Sequence, residues 1–363
     1  MPHQLIALVA LSMLLAACGG ALPAQPPAAI PAAPAAGQAD LSRMKEYLLG
    51  QTTELATASA ALKLAADGYY ELASAADFDY ARLWAEQPEA AVAAVEAARA
   101  AWVAASPAYE KMEGIVAGTP SLAQFDVDLD AGAAAADDPE GAVSFDLSLP
   151  DGRVLPKPGN LFGITERALW GTDPAFAAAG VQPDWDGDGQ VAFGETLPDA
   201  NLLKGAADTL DRYANDLQAA GAAWTPTPSD AFTALVVMVP TMNEYFGSWR
   251  DSRFVAGETS TQGDFVAISR LADIQDILGG LEVVYAQVQP QVQTVDAAQG
   301  DQIASSLSEL KSFIAGIYAE EQGGRRYSAE EADTLGAEAQ NRATAITGQI
   351  SQVAGELQIS IQE

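Results

Sequence analysis

Two acidic constellations in this chain could do chemistry. The first is DWDGDGQVAFGE, residues 184–195. Asp184, Asp186 and Asp188 alternate, Gly189 follows at the sixth position and Glu195 closes at the twelfth. The spacing is that of a calcium loop, D-x-D-x-D-G-x5-E. Three short carboxylates can wrap one side of a cation, and Gly permits the sharp turn. The carbonyl of Gln190 adds a ligand, and the distal Glu closes the shell with both oxygens. Without a cation, each pair of these acids at about 4 Å costs roughly 4 kcal/mol at an effective dielectric of 20. The same acids also suit a solvated surface loop that binds nothing. Pro183 and Pro198 frame the stretch. A structural clip is therefore expected rather than a switch, which needs two long helices free to reorient.

The second constellation is spread along the chain. Glu110 and Glu113, in PAYEKMEG, are three apart and share one face of a helix. Like charges there are unfavourable unless something positive sits between them, and two solvated acids are the plain alternative. Glu166 stands in FGITERALWG, residues 162–171.

Composition narrows what these acids can do. The chain has 363 residues, of which 49% are hydrophobic, enough for one large or two ordinary domains with real cores. Its formal net charge is -31, which disfavours nucleic acid and an anionic membrane surface; its field would favour a cation, although solubility alone is the preferred reading of the charge by itself. The only His is His3 and the only Cys is Cys18. LIALVALSMLLAAC places about 13 apolar residues before Cys18, too few to span a bilayer comfortably. Small residues lead into that Cys, as in a bacterial lipoprotein signal cleaved before a lipid-bearing cysteine. Residues 1–18 are thus expected to be a signal peptide, with Cys18 lipidated and the mature protein anchored at the cell envelope without a membrane helix. A mature chain with no His and a blocked Cys excludes a Ser-His-Asp triad, a Cys nucleophile and His or Cys zinc sites. Any metal must be held by oxygen.

The elements that must position these acids are helical. Residues 19–39 are Pro, Ala and Gly without charge, an extended tether. Apolar residues recur at helical spacing over 41–75. Pro88 suits the first turn of a second helix, in which Pro107 should impose a kink or restart, and Gly118-Thr119-Pro120 should stop it. Residues 121–158 read as a long acidic loop with a short hairpin near 143–154. Helices are then expected over 160–170, 199–219, 230–249 with a kink at Pro240, 263–287, 297–319 and 328–358. The last opens on a capping box, Ser328 to Glu331. The predicted fold is all-α, two helical bundles in tandem: residues 40–224 with the acidic insert and the calcium-like loop, and 225–363.

The run AARAAWVAASPAYEKMEGIVAG followed by FGITERALWG resembles the imelysin-like family, which includes the Efe-type iron-uptake lipoproteins of the bacterial envelope. EYFGSWRDSRF at 244–254 supports the likeness. The resemblance implies a tandem pair of four-helix bundles and a metal site built from a YExxE-like helix, an Asp downstream and a GxHxxE signature. On that pattern Glu110, Glu113 and Glu166 are the matching acids. The Asp falls within FDVDLD, with Asp128 the first choice and Asp126 close behind. The signature His falls on Gly163 and its leading Gly on Leu161. The implied site is all-oxygen, suited to hard ions such as Ca2+, Mn2+ or Fe3+. Two functions are expected from these residues: an envelope metal-binding protein of an iron-uptake system, handing its ion to a permease, or a calcium-stabilised surface scaffold in which the family site is lost. A zinc peptidase is not expected, because no zinc-water nucleophile can be built without the His.

Overall fold

Apolar residues on one face of the first helix set the architecture. Met44, Leu48, Leu55, Leu62 and Tyr69 line a single stripe of α1 (Ser42–Ala75), and all are fully buried. The structure, a computed structural model, describes residues 39–362. His3, the expected signal peptide, Cys18 and nearly all of the expected tether lie outside these residues. The stripe of α1 packs on α3 (Pro88–Val116) and α6 (Ala200–Ala223), with α2 (Tyr80–Glu86) forming the turn between α1 and α3.

The N-terminal half of α3 is amphipathic, but its last turns, from Ala108, are buried on nearly every side. The helix runs through Pro107 as one element, so the chain does not restart there. Its end is followed by a short helix, α4 (Ala123–Asp126), and a π turn, Val127–Ala131, inside the stretch read as loop. Next comes a two-stranded hairpin, β1 (Leu147–Ser148) with β2 (Val154–Leu155), in antiparallel register. α5 (Leu161–Trp170) begins where the Asn160 side chain accepts from the Gly163 amide, and ends on left-handed Gly171.

The chain turns at residues 224–227 into α7 (Pro228–Met238), opened by a Thr227–Asp230 capping box. A tight turn at Pro240 separates it from α8 (Met242–Asp251), which is the kink the sequence predicts. Then follow α9 (Arg253–Ala256), α10 (Arg270–Gln293), α11 (Ala297–Gln322) and α12 (Ala329–Glu356), the last with the Ser328–Glu331 capping box. α10 packs on α11, and α12 on α8 and α11. The fold is all-α. Residues 263–269, read from sequence as helix, form an irregular, bent segment instead, and the candidate site supplies the reason below.

The two helical groups meet along α3 and α10, where small residues allow close approach. A Cβ on Gly280 would lie 2.3 Å from the Lys111 carbonyl oxygen, and one on Gly114 would lie 2.8 Å from Leu281 Cδ2. Backbone cannot yield as a side chain can. Gly280→Ala is therefore expected to force α3 and α10 apart and cost about 1–3 kcal/mol in urea unfolding. An unchanged midpoint would mean that this contact is slack. Among the described residues, no helix is long and apolar enough to cross a membrane.

Candidate metal centre

The buried end of α3 presents Glu110 and Glu113 toward α10 and α8, and both are almost wholly removed from solvent. The π turn brings Asp130 to the same place. One carboxylate oxygen from each of Glu110, Glu113 and Asp130 lies within 4.8 Å of the other two. On each residue one oxygen, Glu110 Oε2, Glu113 Oε2 and Asp130 Oδ2, has no hydrogen-bond partner. Burying an unpaired carboxylate oxygen is costly, so these three atoms mark a place built for a positive charge.

The other oxygens are occupied. Tyr245 of α8 donates to Glu113 Oε1 at 2.7 Å, and Tyr109 donates to Asp126 Oδ1 at 2.7 Å. Arg270, the first residue of α10, sends Nη1 to Glu110 Oε1 and to Asp273 Oδ2, both at 3.2 Å. Its Nη2 stands 3.7 Å from Asp130 Oδ2. Five buried carboxyl groups thus gather around one guanidinium. Burial raises four of them, Glu110, Asp126, Asp130 and Asp273, above the ordinary carboxylate range. Burial, then Asp273, Asp130 and Glu113, hold the Glu110 carboxyl well above its ordinary range, with Arg270 pulling it back. Burial pushes Asp130 up to about 7 and Asp273 to about 6, in each case against Arg270, and Asp126 is raised by burial and by Glu113.

The donor set fits a hard cation. It is all carboxylate oxygen, with phenol groups beside it, as Ca2+, Mn2+ or Fe3+ prefer. No His or Cys occurs in residues 39–362, so nitrogen and sulfur ligands for zinc are absent from the described residues. A cleft of about 430 Å³, lined by Glu113, Asp126, Asp130, Glu244, Asp264 and Arg270 among others, leads to the group. Behind it a cavity of about 10 Å³ separates Glu110 and Asp273 from Glu166, room for one water at most.

Sequence reasoning named four acids for this site, and the structure gathers two of them. Asp128 is turned away: its carboxylate accepts from the Ser144 amide and hydroxyl, each at 2.7 Å. Asp130 stands with the glutamates in its place, and Asp126 lies close by on Tyr109. Glu166 is engaged elsewhere. It accepts three backbone N–H groups, from Phe265 at 2.7 Å and from Val266 and Ala267 at 2.9 Å. This is why residues 263–269 are not helical: their amides turn inward to a buried carboxylate, and Phe265 adopts a left-handed φ of 54°. Burial pushes Glu166 up to about 8, against the pull of those three donors. The same segment fills the room in front of Gly163, where a Cβ would lie 2.9 Å from Asp264 Oδ2 and 2.9 Å from Asn160 Oδ1. Sequence reasoning missed Asp130, Asp273, Arg270 and Tyr245. One signal was present: Asp126 and Asp130 are four apart and share a helical face, which Asp128 does not.

The calcium-like loop is set apart from this group. Asp184, Asp186 and Asp188 each bring an oxygen within 4.8 Å of the others, all at the surface. Asp184 accepts from the amides of Gly187, Asp188 and Gly189, and the Gln190 amide donates to Asp188. Glu195 folds back onto the amides of Trp185, Asp186 and Ala192. The loop is held to the bundle by Arg99, which stacks 4.5 Å over Trp185 and donates to the Leu169 and Gly194 carbonyls.

The helical architecture defines a class of fold, and comparison with known proteins agrees. The family model described as Imelysin, under the peptidase label M75, matches residues 45–353. The chain belongs to the imelysin family. Among solved structures it is similar to a candidate iron-regulated protein A precursor from Parabacteroides distasonis ATCC 8503, with a TM-score of 0.52 and 14% identity over 87% of this chain and 96% of that one. At that identity the likeness concerns the fold. No curated protein matches the chain.

Proposed function

We propose that this protein is a metal-binding lipoprotein of the bacterial cell envelope that serves iron uptake. A hard cation, iron above all, is its cargo, held by Glu110, Glu113 and Asp130. One observation carries this reading: three buried carboxylate oxygens on three neighbouring residues, all without a hydrogen-bond partner. The name of the structural neighbour, an iron-regulated protein, and the family's iron-uptake members support iron as the cation. The cell-envelope location rests on the signal sequence ending at Cys18, whose lipid would supply the membrane contact. The acceptor of the ion would be an iron permease. No nucleic acid partner is proposed, given the net charge of -31. Peptidase activity is not proposed despite the family label, because the chain's only His is His3.

The test is calorimetric titration of the mature chain, stripped of metal, with Fe3+ kept soluble by a weak chelator and with Mn2+. Wild type should bind one ion, and the Glu110→Gln/Glu113→Gln double variant should lose at least a hundredfold in affinity. Binding that survives the double variant would place the ion elsewhere.

The surface loop is proposed as a calcium staple, with Asp184, Asp186 and Asp188 as ligands, the Gln190 carbonyl beside them, and Glu195 joining once released from its amides. Calcium should raise the melting temperature of wild type by several degrees and leave Asp186→Asn unmoved. A second reading has one observation in its favour. Glu166 is fully committed to the backbone of 265–267, so the family site has lost both its His and its second-helix Glu as free ligands. On that reading the protein is a calcium-stapled surface scaffold, and the titration above would show calcium binding alone.

A further inference from the structure

The cation nearest the orphaned oxygens belongs to the protein itself. Arg270 is buried, and its guanidinium lies between the rings of Phe265, 4.2 Å from the centroid, and Tyr245, at 4.6 Å. Its Nη atoms reach Glu110, Asp273 and Asp130. Two of these, Glu110 and Asp130, belong to the group of three acids a metal ion would use. Nε has no partner, so the guanidinium is gripped by charge and by two ring faces rather than by a complete set of hydrogen bonds. It also borders the 430 Å³ cleft, whose walls carry Asp126, Asp137, Asp264 and Glu244. A displaced guanidinium would thus have acids and water to receive it.

We propose that Arg270 is a tethered place-holder cation: it neutralises the acids while no metal is bound, and an incoming metal ion displaces it into the acidic cleft. The inference rests on the metal-binding reading above and adds the residue that sets the affinity of that site. Two cations cannot share the same buried oxygens at full strength. A metal ion bound by Glu110 and Asp130 lies within a few ångströms of the guanidinium, and like charges at that range repel strongly in a dry interior. Metal affinity is therefore reduced by the work of moving Arg270 out. A site of this kind holds its acids together when empty and releases its ion more readily than a bare carboxylate cage.

The experiment compares Mn2+ titrations of wild type, Arg270→Gln and Arg270→Lys, full mature chain in each case. Arg270→Gln should bind Mn2+ at least tenfold more tightly than wild type, with Arg270→Lys between them. Equal or weaker binding by Arg270→Gln, beside measurable binding by wild type, would overturn the place-holder role and leave the metal site standing. Absence of binding in all three would remove the metal site and the place-holder together. Should Arg270→Gln not fold without metal, the crystal structure of Mn2+-loaded wild type decides. Arg270 turned into the cleft supports the proposal, and a guanidinium still between Phe265 and Tyr245 refutes it.

Discussion

Glu166→Ala is expected to lower the unfolding free energy by about 3 kcal/mol and to loosen residues 263–269. The carboxylate accepts from three amides, the Val266 bond buried and the other two part-buried. An orphaned buried N–H costs about 1–3 kcal/mol, and relief of the burial penalty on the acid offsets part of the sum. Phe265 would lose the anchor that holds its left-handed backbone, and its ring would no longer be fixed over Arg270. Urea unfolding gives the energy, and amide exchange at 265–267 shows where it is lost. The outcome separates two roles for the family's signature Glu. A metal ligand would leave the metal-free protein as stable as before, or more so, once a buried acid is removed. A backbone anchor destabilises the metal-free protein and speeds exchange in this one segment. Glu166→Gln is the finer probe. Its single carbonyl oxygen can replace at most one carboxylate oxygen, so it should fall between alanine and wild type.

The metal-free protein should be more stable at pH 5 than at pH 8, and a bound cation should remove only part of that difference, leaving the share of Glu166. Glu166 is raised to about 8 and Asp130 to about 7, both chiefly by burial. A carboxyl whose folded pKa exceeds its unfolded value releases its proton on unfolding. Stability then falls with rising pH, from the unfolded value near 4.5 for Glu166 up through its folded value. For Glu166 alone that loss is roughly 3–5 kcal/mol, at about 1.4 kcal/mol per unit. Some surface acids act in the other sense. Asp251 is held low by Arg250, and its contribution is lost only as pH falls below the ordinary carboxylate range. The melting temperature of the stripped protein should therefore peak near pH 5 and decline towards pH 8. Addition of Mn2+ at pH 8 should recover the part of the decline due to Glu110, Asp130 and Asp273. A flat profile from pH 5 to 8 would show that the buried acids ionise freely, and recovery with Ca2+ in Asp186→Asn would show that the effect is not the surface loop's.

Much of the fold was legible because helices declare themselves locally. The stripe of α1, the Pro at the head of α3, the capping box of α12 and the Pro240 break rest on neighbours within a few residues. Expectations failed where a distant partner overrode local preference. Residues 263–269 have helical-looking composition, but a carboxylate about a hundred residues upstream in sequence takes their amides. Pro107 was expected to kink or restart α3, yet the chain continues through it as one helix into turns that are buried from Ala108 onward. In FDVDLD the family spacing favoured Asp128, while the turn geometry delivers Asp130.

By itself the sequence determined that the protein is helical and acidic, that any metal it holds between residues 39 and 362 must be bound by oxygen, and that it resembles the imelysins. Those are properties of composition, of periodicity and of short motifs. The tertiary structure alone decided which acids meet, that Glu166 serves the backbone, that Asp264 stands in the room before Gly163, and that Arg270 lies among the carboxylates. The last three join residues roughly a hundred or more positions apart. Such pairings are settled by how the bundles pack and by the cost of leaving buried charge without a partner, and no local pattern encodes either.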